Sequence, residues 1–339
     1  MRITWDYDAL SRLKQEQRDA GDDQNQAGDD YTAVYSYDLA GNRTSEAIDR
    51  AGTQNDETIT YDYTDSLLNY NADDRLRTVT DVKGAGSTQV TTTTAYQYDP
   101  NGSTIEKTVS STPNGGTTSI TQHAKYVYDV RNRLVRLDAK GDTTYDASGM
   151  PLSAAADDVT YAYDDDGDRI SETSGGQTTS DLVDKENPTG YSQVIEEKLG
   201  ASTTPAVSYV IGNDVIGQVK QSVGAAPILQ YLLYDGHGST REVLGADGNP
   251  LLDQATNKYV FFDYDAFGNQ VGFDMGAAAT NRCTRASSTT ASWASSTSGH
   301  VITTKISVGL RVSILSKEIR PILPRSTSLF TLKRIHSLN

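Results

Sequence analysis

The densest group of chemically active side chains is the acidic run Asp164–Asp168, which places four carboxylates around Gly167. Carboxylates at this density can bind Ca²⁺, and the EF-hand calcium loop has glycine at its sixth position and a bidentate glutamate at its twelfth. Counted from Asp164, the glycine stands fourth and the twelfth residue is Gly175. The run therefore fits a tight turn better than a calcium loop, and we expect neither a metal site nor a cofactor.

Candidate bases and nucleophiles are scattered along the chain. The four histidines stand at positions 123, 237, 300 and 336, and Ser239 follows Gly238 without the G-x-S-x-G pattern of a nucleophile elbow. A serine hydroxyl needs an adjacent base, and carboxylate-based hydrolysis needs acidic groups gathered in one cleft. We therefore predict no catalytic residues and no enzymatic activity; a hydrolase is the least favoured hypothesis.

Tyrosine is unusually abundant, with 20 residues against 5 phenylalanines and 2 tryptophans. An aromatic face can bind a sugar ring, or it can pack against another aromatic side chain. Both alternatives stay open, although packing is favoured because the tyrosines recur in a fixed phrase. That phrase reads Tyr-x-Tyr-Asp, two variable residues, and then glycine or a substitute, as in residues 35–41.

We call the tyrosine that precedes the aspartate the anchor of each repeat. Six anchors are spaced by 28 to 35 residues: Tyr7, Tyr37, a weaker copy at Tyr70, Tyr98, Tyr128 and Tyr163. Later copies stand at Tyr234 and Tyr264, and a half-copy stands at Tyr145. The aspartates that follow are Asp8, Asp38, Asp99, Asp129, Asp164, Asp235 and Asp265. The fourth position after the anchor holds Gly41, Gly102, Gly167, Gly238 and Gly268, or else Ser11, Asp74 and Asn132. Self-similarity at this period is the signature of a repeat architecture.

The spacing of the phrase predicts a β-hairpin. Side chains alternate along a strand, so both rings of Tyr-x-Tyr lie on one face. Glycine, asparagine and aspartate tolerate positive φ, and the aspartate after the anchor can accept hydrogen bonds from the turn amides. One hairpin is unstable in water, but stacked hairpins bury their tyrosine faces. We therefore predict an all-β fold in which antiparallel hairpins stack into a spiral sheet or partial shell.

The bulk composition excludes several classes of protein. A net charge of −15 disfavours nucleic-acid binding, and the lone Cys283 excludes a disulfide framework. The chain contains no apolar run of about eighteen residues, so we expect no transmembrane helix. No apolar segment follows Met1, so we expect no signal peptide in this chain.

Several phrases resemble the YD repeats of the Rhs/teneurin/wall-associated family. The resemblance is already close at Tyr128 and becomes stronger further along the chain. Residues 182–194 resemble the linker before the Rhs repeat-associated core, and residues 231–241, 246–249 and 263–269 resemble successive phrases of that core. The resemblance covers roughly residues 1 to 280. It implies YD repeats over 1–180, a linker over 181–230 and the first part of the core over 231–280.

The resemblance also implies a function. In this family the repeats form a β-sheet spiral around a hollow that often encloses a C-terminal toxin or effector. We therefore expect a structural shell segment of a secreted or cell-surface bacterial protein, whose partners are that effector and secretion machinery. The family's self-cleavage site lies beyond the core, so no catalytic residue is carried over. The alternative is a surface adhesin whose tyrosine-lined sheet binds carbohydrate.

The composition changes abruptly after Thr280. Of 45 acidic residues only Glu318 lies beyond Asp274, against nine lysines and arginines, and the last tyrosine is Tyr264. Suppose that the original reading frame differs by one base, so that each original codon consists of the last base of one tail codon and the first two bases of the next. The codons that residues 282–290 permit in that frame can then encode LYTGEQYD. The same shift spells QFYLRARYYDQ over 294–305 and IGRFSSLDPFEGN over 306–320.

These shifted phrases resemble the continuation of the Rhs core, in order. We therefore hypothesise that a one-base deletion or two-base insertion near Asn281 replaced the rest of the core. Residues 281–339 are then expected to be a poorly packed, disordered tail. The nucleotide sequence of the gene tests this, because the other reading frame must encode those phrases.

Overall fold

The computed structural model describes residues 2–19, 30–50, 56–64, 73–141, 157–187, 190–212, 215–222, 224–236, 238–253, 258–271, 273, 279–280, 282–284 and 287–288. Within these ranges the fold is all-β, as predicted, with one 3₁₀ turn at Gly86–Thr88. In the same part of the chain no helix is long and apolar enough to cross a membrane.

Eighteen strands form one antiparallel sheet, and six short strands form three further pairs. The sheet comprises β1 (Arg2–Tyr7), β2 (Leu13–Asp19), β3 (Tyr31–Tyr37), β4 (Arg43–Asp49), β5 (Glu57–Asp62), β6 (Thr78–Lys83), β7 (Val90–Tyr98), β8 (Thr104–Pro113), β9 (Ser119–Tyr128), β10 (Leu134–Asp138), β11 (Val159–Tyr163), β12 (Arg169–Ser174), β13 (Gln177–Asp184), β14 (Gln193–Leu199), β15 (Val207–Ile211), β16 (Val215–Lys220), β17 (Ile228–Tyr234) and β18 (Thr240–Gly245). The pairs are β19 (Leu252–Asp253) with β20 (Lys258–Tyr259), β21 (Asp263–Tyr264) with β22 (Gln270–Val271), and β23 (Arg282–Thr284) with β24 (Ser287–Ser288).

Consecutive strands of the large sheet pair with each other, from β1 with β2 to β17 with β18. The sheet is not closed. Its strands show the predicted two-residue alternation: in β3, Tyr31, Ala33 and Tyr35 are buried, whereas Val34 and Ser36 are exposed. We call the face that carries the buried side chains the inner face.

The inner face forms its core in four clusters along the sheet. The buried members are Tyr31, Ala33 and Tyr35 in the first; Ile59, Tyr61, Tyr63, Leu76, Val79 and Tyr96 in the second; Ala124, Leu134, Leu137, Val159 and Tyr161 in the third; and Val194, Tyr209, Val215, Leu232, Val243, Phe262 and Tyr264 in the fourth. Tyrosine supplies at least half of the buried members of the first two clusters, whereas the third and fourth consist mainly of aliphatic and phenylalanine side chains.

The β21–β22 hairpin connects the two ends of the sheet. Its neighbour Phe262 packs in the fourth cluster with Val243 of β18. On its other side, Asp263 forms a buried ion pair of 2.9 Å with Arg18, a residue 245 positions away. The ring of Phe267 lies edge-on to Tyr35 at a centroid distance of 5.0 Å. The sheet therefore curves far enough for its first and last hairpins to share one packed element.

The large sheet runs through the predicted segment boundaries. The boundary at residues 180/181 falls inside β13, and that at 230/231 falls inside β17. The linker segment thus contributes strands to the same sheet as the repeats. The three segments stay predictions about sequence organisation.

Candidate functional site

The turns of the repeats share one hydrogen-bond pattern. In the first, the Asp8 N–H donates to the Arg12 carbonyl, the Ser11 N–H donates to the Asp8 carbonyl, and the Asp8 carboxylate accepts from the Arg12 N–H, each at 2.9 Å. The same three bonds recur at Asp38, Asp99, Asp129, Asp164, Asp235 and Asp265. The aspartates of the phrase therefore serve as turn acceptors, the role that the sequence suggested.

The fourth residue after each anchor has positive φ. The values run from 60° to 99° at Ser11, Gly41, Gly102, Asn132, Gly167, Gly238 and Gly268. Hydrogen bonding also affects the titration of the turn carboxylates: the Arg12 backbone N–H lowers the pKa of Asp8. Burial acts to raise the pKa of Asp129, but hydrogen bonds from Arg133 outweigh it and the pKa lies below its ordinary value.

A second recurring contact links each hairpin to the next. The hydroxyl of a tyrosine, which is an anchor in four of the five cases, donates to the backbone carbonyl of the residue six positions after the preceding anchor. The bonds are Tyr37 to Leu13 (2.7 Å), Tyr63 to Arg43 (3.0 Å), Tyr98 to Leu76 (2.6 Å), Tyr128 to Thr104 (2.9 Å) and Tyr163 to Leu134 (2.7 Å). We call this contact, with the strand pairing around it, a tyrosine junction.

One junction uses a tyrosine that the sequence pattern missed. In the third repeat the hydroxyl donor is Tyr63, whereas the predicted anchor Tyr70 lies outside the described residues. The turn half of this copy fits the prediction, since Asp74, four positions after Tyr70, has a φ of 53°. An inserted segment thus separates the donor from its turn. The phrase Tyr61-x-Tyr63 could have signalled it, although aspartate does not follow Tyr63.

The strand register is the same at every tyrosine junction. The residue nine positions after one anchor pairs with the residue four positions before the next donor tyrosine. These pairs are Glu16 with Ala33, Glu46 with Ile59, Val79 with Thr94, Lys107 with Ala124, and Leu137 with Val159. The later members Ala33, Ile59, Ala124 and Val159 are at most 1% exposed. Thr94, the later member of the remaining pair, is half-buried, so four of the five junctions bury this inward position completely.

The turns are also bonded to one another through the fifth residue after each anchor. The contacts are Arg12 to the Asp38 carbonyl (3.0 Å), Asn42 to the Asp74 carboxylate (2.9 Å), Arg75 to the Asp99 carbonyl (3.2 Å), Ser103 to the Asn132 side chain (2.7 Å) and Arg133 to the Asp164 carbonyl (3.2 Å). The guanidinium of Arg12 also lies 4.9 Å from the Tyr37 ring centroid, and that of Arg133 lies 4.8 Å from the Tyr163 centroid.

The acidic run is held by a lysine. The Lys185 ammonium lies 2.6 Å from the Asp164 carboxylate, 2.5 Å from that of Asp166 and 3.8 Å from that of Asp168. Hydrogen bonding to Asp164 and Asp166 raises the pKa of Lys185. The Lys185 ammonium therefore supplies the positive charge that contacts all three carboxylates.

Burial raises the pKa values of two carboxylates on the inner face. Glu46 accepts from the Tyr61 hydroxyl at 3.1 Å and lies 3.2 Å from the Arg43 guanidinium; burial raises its pKa to about 7. Burial and the neighbouring Glu57 raise the pKa of Asp81 to about 7. Both groups therefore favour the protonated form in the fold more than they would in water.

The other residues considered for chemistry are dispersed in the structure. His123 contacts the Glu106 carboxylate, and the Ser239 N–H donates to Asp235 within its turn at 3.0 Å. His237, His300 and His336 lie outside the described residues, as does the half-copy at Tyr145. Within the predicted tail, the described part includes Arg282, whose guanidinium lies 4.2 Å from the Tyr209 ring centroid.

Comparison with known proteins identifies no family for the chain. No family model matches it, and no curated protein matches it. Solved structures match with low scores. The Photorhabdus luminescens Tc holotoxin pore, with a mutated TccC3, has a TM-score of 0.33 and 16% identity over 79% of this chain and 14% of its own.

Two further matches have similar scores. A TcdB2–TccC3–Cdc42 complex has a TM-score of 0.30 and 16% identity over 79% of this chain and 15% of its own. A porin-like protein from Bacteroides uniformis has a TM-score of 0.28 and 14% identity over 64% of this chain and 87% of its own. The chain thus spans only 14–15% of the toxin chains that it matches.

Proposed function

We propose that this chain is a wall segment of a hollow, Rhs-type β shell. The observation that supports this best is the tyrosine junction, which joins successive hairpins with one register and one hydroxyl-to-carbonyl bond. Because the geometry does not change from junction to junction, hairpins can be added without redesigning the contact. A sheet built in this way is suited to extending a surface.

The use of the side chains favours structure over catalysis or binding. The hydroxyls at the five tyrosine junctions donate to backbone carbonyls, and the turn aspartates accept from backbone amides. Buried acidic groups such as Glu46 face arginine and tyrosine partners within the sheet. We therefore propose that the chain has no enzymatic activity and that its polar groups serve mainly to connect hairpins.

The finer parts of the proposal follow the sequence resemblance. The shell would belong to a secreted or cell-surface bacterial protein and would enclose or present an effector encoded downstream of the repeats. Its partners would be that effector and the machinery that exports it. The hollow side of the wall would be the inner face, where the sheet carries its tyrosines.

Protease protection tests the proposal directly. The gene is extended past Asn281 in the restored frame with its own downstream segment, and the purified product is treated with protease. We expect the downstream segment to survive when joined to the shell and to be digested when produced alone. Equal digestion rates in the two samples would contradict the proposal. The nucleotide sequence must first show the predicted phrases in the other frame.

A glycan array on the full chain separates the shell from the adhesin hypothesis. The adhesin hypothesis requires accessible aromatic faces, whereas Tyr35, Tyr61 and Tyr161 of the inner face are less than 10% exposed. We expect no specific binding. Saturable submillimolar binding of a defined sugar would favour the adhesin.

A further inference from the structure

Lys107 lies on the inner face in the middle of the large sheet, on β8, nine positions after the anchor Tyr98. The first, second and sixth repeats hold a glutamate at this position, namely Glu16, Glu46 and Glu172. Each glutamate has a donor within the sheet. The Tyr31 hydroxyl lies 2.8 Å from Glu16, and arginines lie 3.2 Å from Glu46 and 3.2 Å from Glu172. The fourth repeat therefore places a cation where three other repeats hold a paired carboxylate.

The Lys107 ammonium has no counter-ion among the described residues. Its inward neighbours on β7 and β9 are Thr94, Tyr96, Tyr98, Gln122, Ala124 and Tyr126. The titratable groups among them are the three tyrosines, which are neutral at pH 7. The ammonium forms no hydrogen bond and no ion pair within the described part of the chain. Burial lowers the pKa of Lys107 to about 8, which shows that the sheet desolvates this cation without compensating its charge.

Two tyrosine hydroxyls beside Lys107 are available as further donors. Tyr96 lies directly opposite Lys107, and Tyr126 lies diagonally across from it, two residues after Ala124 on the same face of β9. Opposite residues have Cβ atoms about 5 Å apart and diagonal ones about 7 to 8 Å apart, so these long side chains reach one region. Neither hydroxyl forms a hydrogen bond with the described residues, and neither the hydroxyls nor the ammonium are fully enclosed.

We propose that Lys107, Tyr96 and Tyr126 form a binding site for a ligand carboxylate that approaches from the open side of the inner face. One carboxylate oxygen accepts from the ammonium, and the remaining lone pairs accept from the two hydroxyls. The second repeat contains the same combination within the chain, where Glu46 accepts from the Tyr61 hydroxyl and pairs with an arginine. In the fourth repeat the chain supplies the cation and the phenols, and the ligand supplies the carboxylate.

A single lysine selects a singly charged group. Lys107 supplies one positive charge, which balances a carboxylate, whereas a dianionic phosphate would leave excess charge against an apolar wall. That wall consists of the second cluster, which contains Tyr96, and the third cluster, which contains Ala124 and packs against Tyr126. The ligand is therefore a carboxylate carried on an apolar group. An acidic side chain between apolar residues of a polypeptide and a small apolar carboxylic acid both have this chemistry.

Competitive labelling of the full chain with acetic anhydride, followed by mass spectrometry, tests the site. Only the neutral amine reacts, so the labelling rate across pH gives the titration of Lys107, and we expect a midpoint near pH 8 without ligand. A short blocked peptide with one glutamate between leucines should keep the ammonium charged and slow the labelling at pH 8 about tenfold. The same peptide with glutamine should not. Lys140, whose side chain is 69% exposed, should respond to neither peptide.

Matched variants locate the bound peptide. Tyr96→Phe and Tyr126→Phe each remove one donor to a charged group and should weaken binding, measured by calorimetry, about tenfold. Tyr231→Phe on the outer face is the control and should bind like the unmodified chain. Lys107→Met should abolish binding and keep the fold, because it removes a desolvated charge. Circular dichroism checks the β content of each variant. Unchanged affinity in Lys107→Met would overturn the site.

Butyrate and inorganic phosphate complete the set of ligands. Protection of Lys107 by the glutamate peptide at concentrations at which butyrate gives none would assign the carboxylate to a polypeptide. Equal or stronger protection by butyrate would assign it to a small carboxylic acid. Both results support the site. Equal protection by the glutamine and glutamate peptides, protection by phosphate alone, or protection by no ligand would refute the proposal.

This site goes beyond the proposed shell function and is tested apart from it. The labelling needs only the full chain and no downstream segment. A carboxylate could bind at Lys107 even if the downstream segment were not protected from protease. Conversely, protease protection could be observed without any ligand at Lys107. The two experiments therefore fail independently.

Discussion

The first six strands and the last four strands of the large sheet are stabilised by different chemistry. Strands β1–β6 place the ionisable residues Glu16, Glu46 and Asp81 on the inner face. Tyr31 donates to Glu16, and Arg43 forms an ion pair with Glu46. Strands β15–β18 place Val215, Leu232 and Val243 there instead, beside a neutral Gln218–Gln230 hydrogen bond of 2.7 Å.

This difference shows that the repeated backbone geometry does not require one type of core. The junction register fixes where a side chain points, and a buried position can then hold a leucine or a paired glutamate. The two regions should therefore respond differently to mutation and to pH. The predictions below test that difference, beginning with the largest expected effect.

Phe262→Ala should cost about 3 to 5 kcal/mol of unfolding free energy, because the ring is fully buried in the fourth cluster and its loss leaves a cavity. The loss should be the same at pH 5 and pH 7.5, since the cluster is largely apolar. Urea denaturation at both pH values measures it. Val130→Ala is the control, as this side chain is fully exposed and should change stability by less than about 0.5 kcal/mol. A loss below 1 kcal/mol would contradict the packing account.

The first region should lose stability as the pH rises from about 4.5 to about 7. The pKa of Glu46 is raised from 4.5 to about 7 in the fold, so the folded state binds more protons than the unfolded state across that window. Its contribution is fully present below pH 4.5 and is lost as the pH passes 7, a change of up to about 3 kcal/mol. Hydrogen exchange of β3–β6 between pH 4.5 and 8 measures the slope.

Two substitutions test the origin of this pH dependence. Glu46→Gln should flatten the slope in β3–β6, because the titrating group is removed. Gln218→Glu makes the reverse change in the neutral region and should create a similar slope in β15–β18. An unchanged slope in Glu46→Gln would show that other groups control the titration.

Removal of a junction hydroxyl should have a smaller effect. Tyr37→Phe and Tyr163→Phe each delete one bond to a backbone carbonyl and should cost about 1 kcal/mol. Tyr231→Phe is the control, because this ring is 40% exposed on the outer face of the neutral region. Its stability in urea should match that of the unmodified chain. If Tyr231→Phe lowered the free energy of unfolding as much as Tyr37→Phe does, the junction hydrogen bond would contribute no more to stability than an exposed hydroxyl.

Ser11→Gly should give the smallest change, a gain of about 0.5 kcal/mol. Ser11 has a φ of 60°, a conformation that glycine adopts without the steric cost borne by a side chain. Part of that gain is offset by the greater freedom of glycine in the unfolded chain. A thermal melt of the variant beside Gly102→Ala, which should be destabilised, gives the comparison.

The sequence predicted the local parts of this architecture well. The turn positions were predictable because positive φ and the aspartate acceptor depend on residues within one repeat, as at Asp129 and Asn132. The donor Tyr63 was missed because an inserted segment separates it from its turn. The Arg18–Asp263 pair and the Lys185 contact with the acidic run were not predictable, because they join residues brought together only by the curvature and order of the sheet.

The reading-frame hypothesis stays a prediction. It concerns residues 281–339, of which the structure describes only 282–284 and 287–288. The gene sequence tests it independently of any structural result.

The chain-ordered pairing of the eighteen strands has a consequence for the path of folding. Each strand finds its partners among its immediate neighbours, so a hairpin can dock as soon as it leaves the ribosome or an export channel, without waiting for distant segments. The contact between Asp263 and Arg18 is different, because it joins residues 245 positions apart. We expect it to form last, so that the two ends of the sheet are fastened only after the wall between them has been assembled.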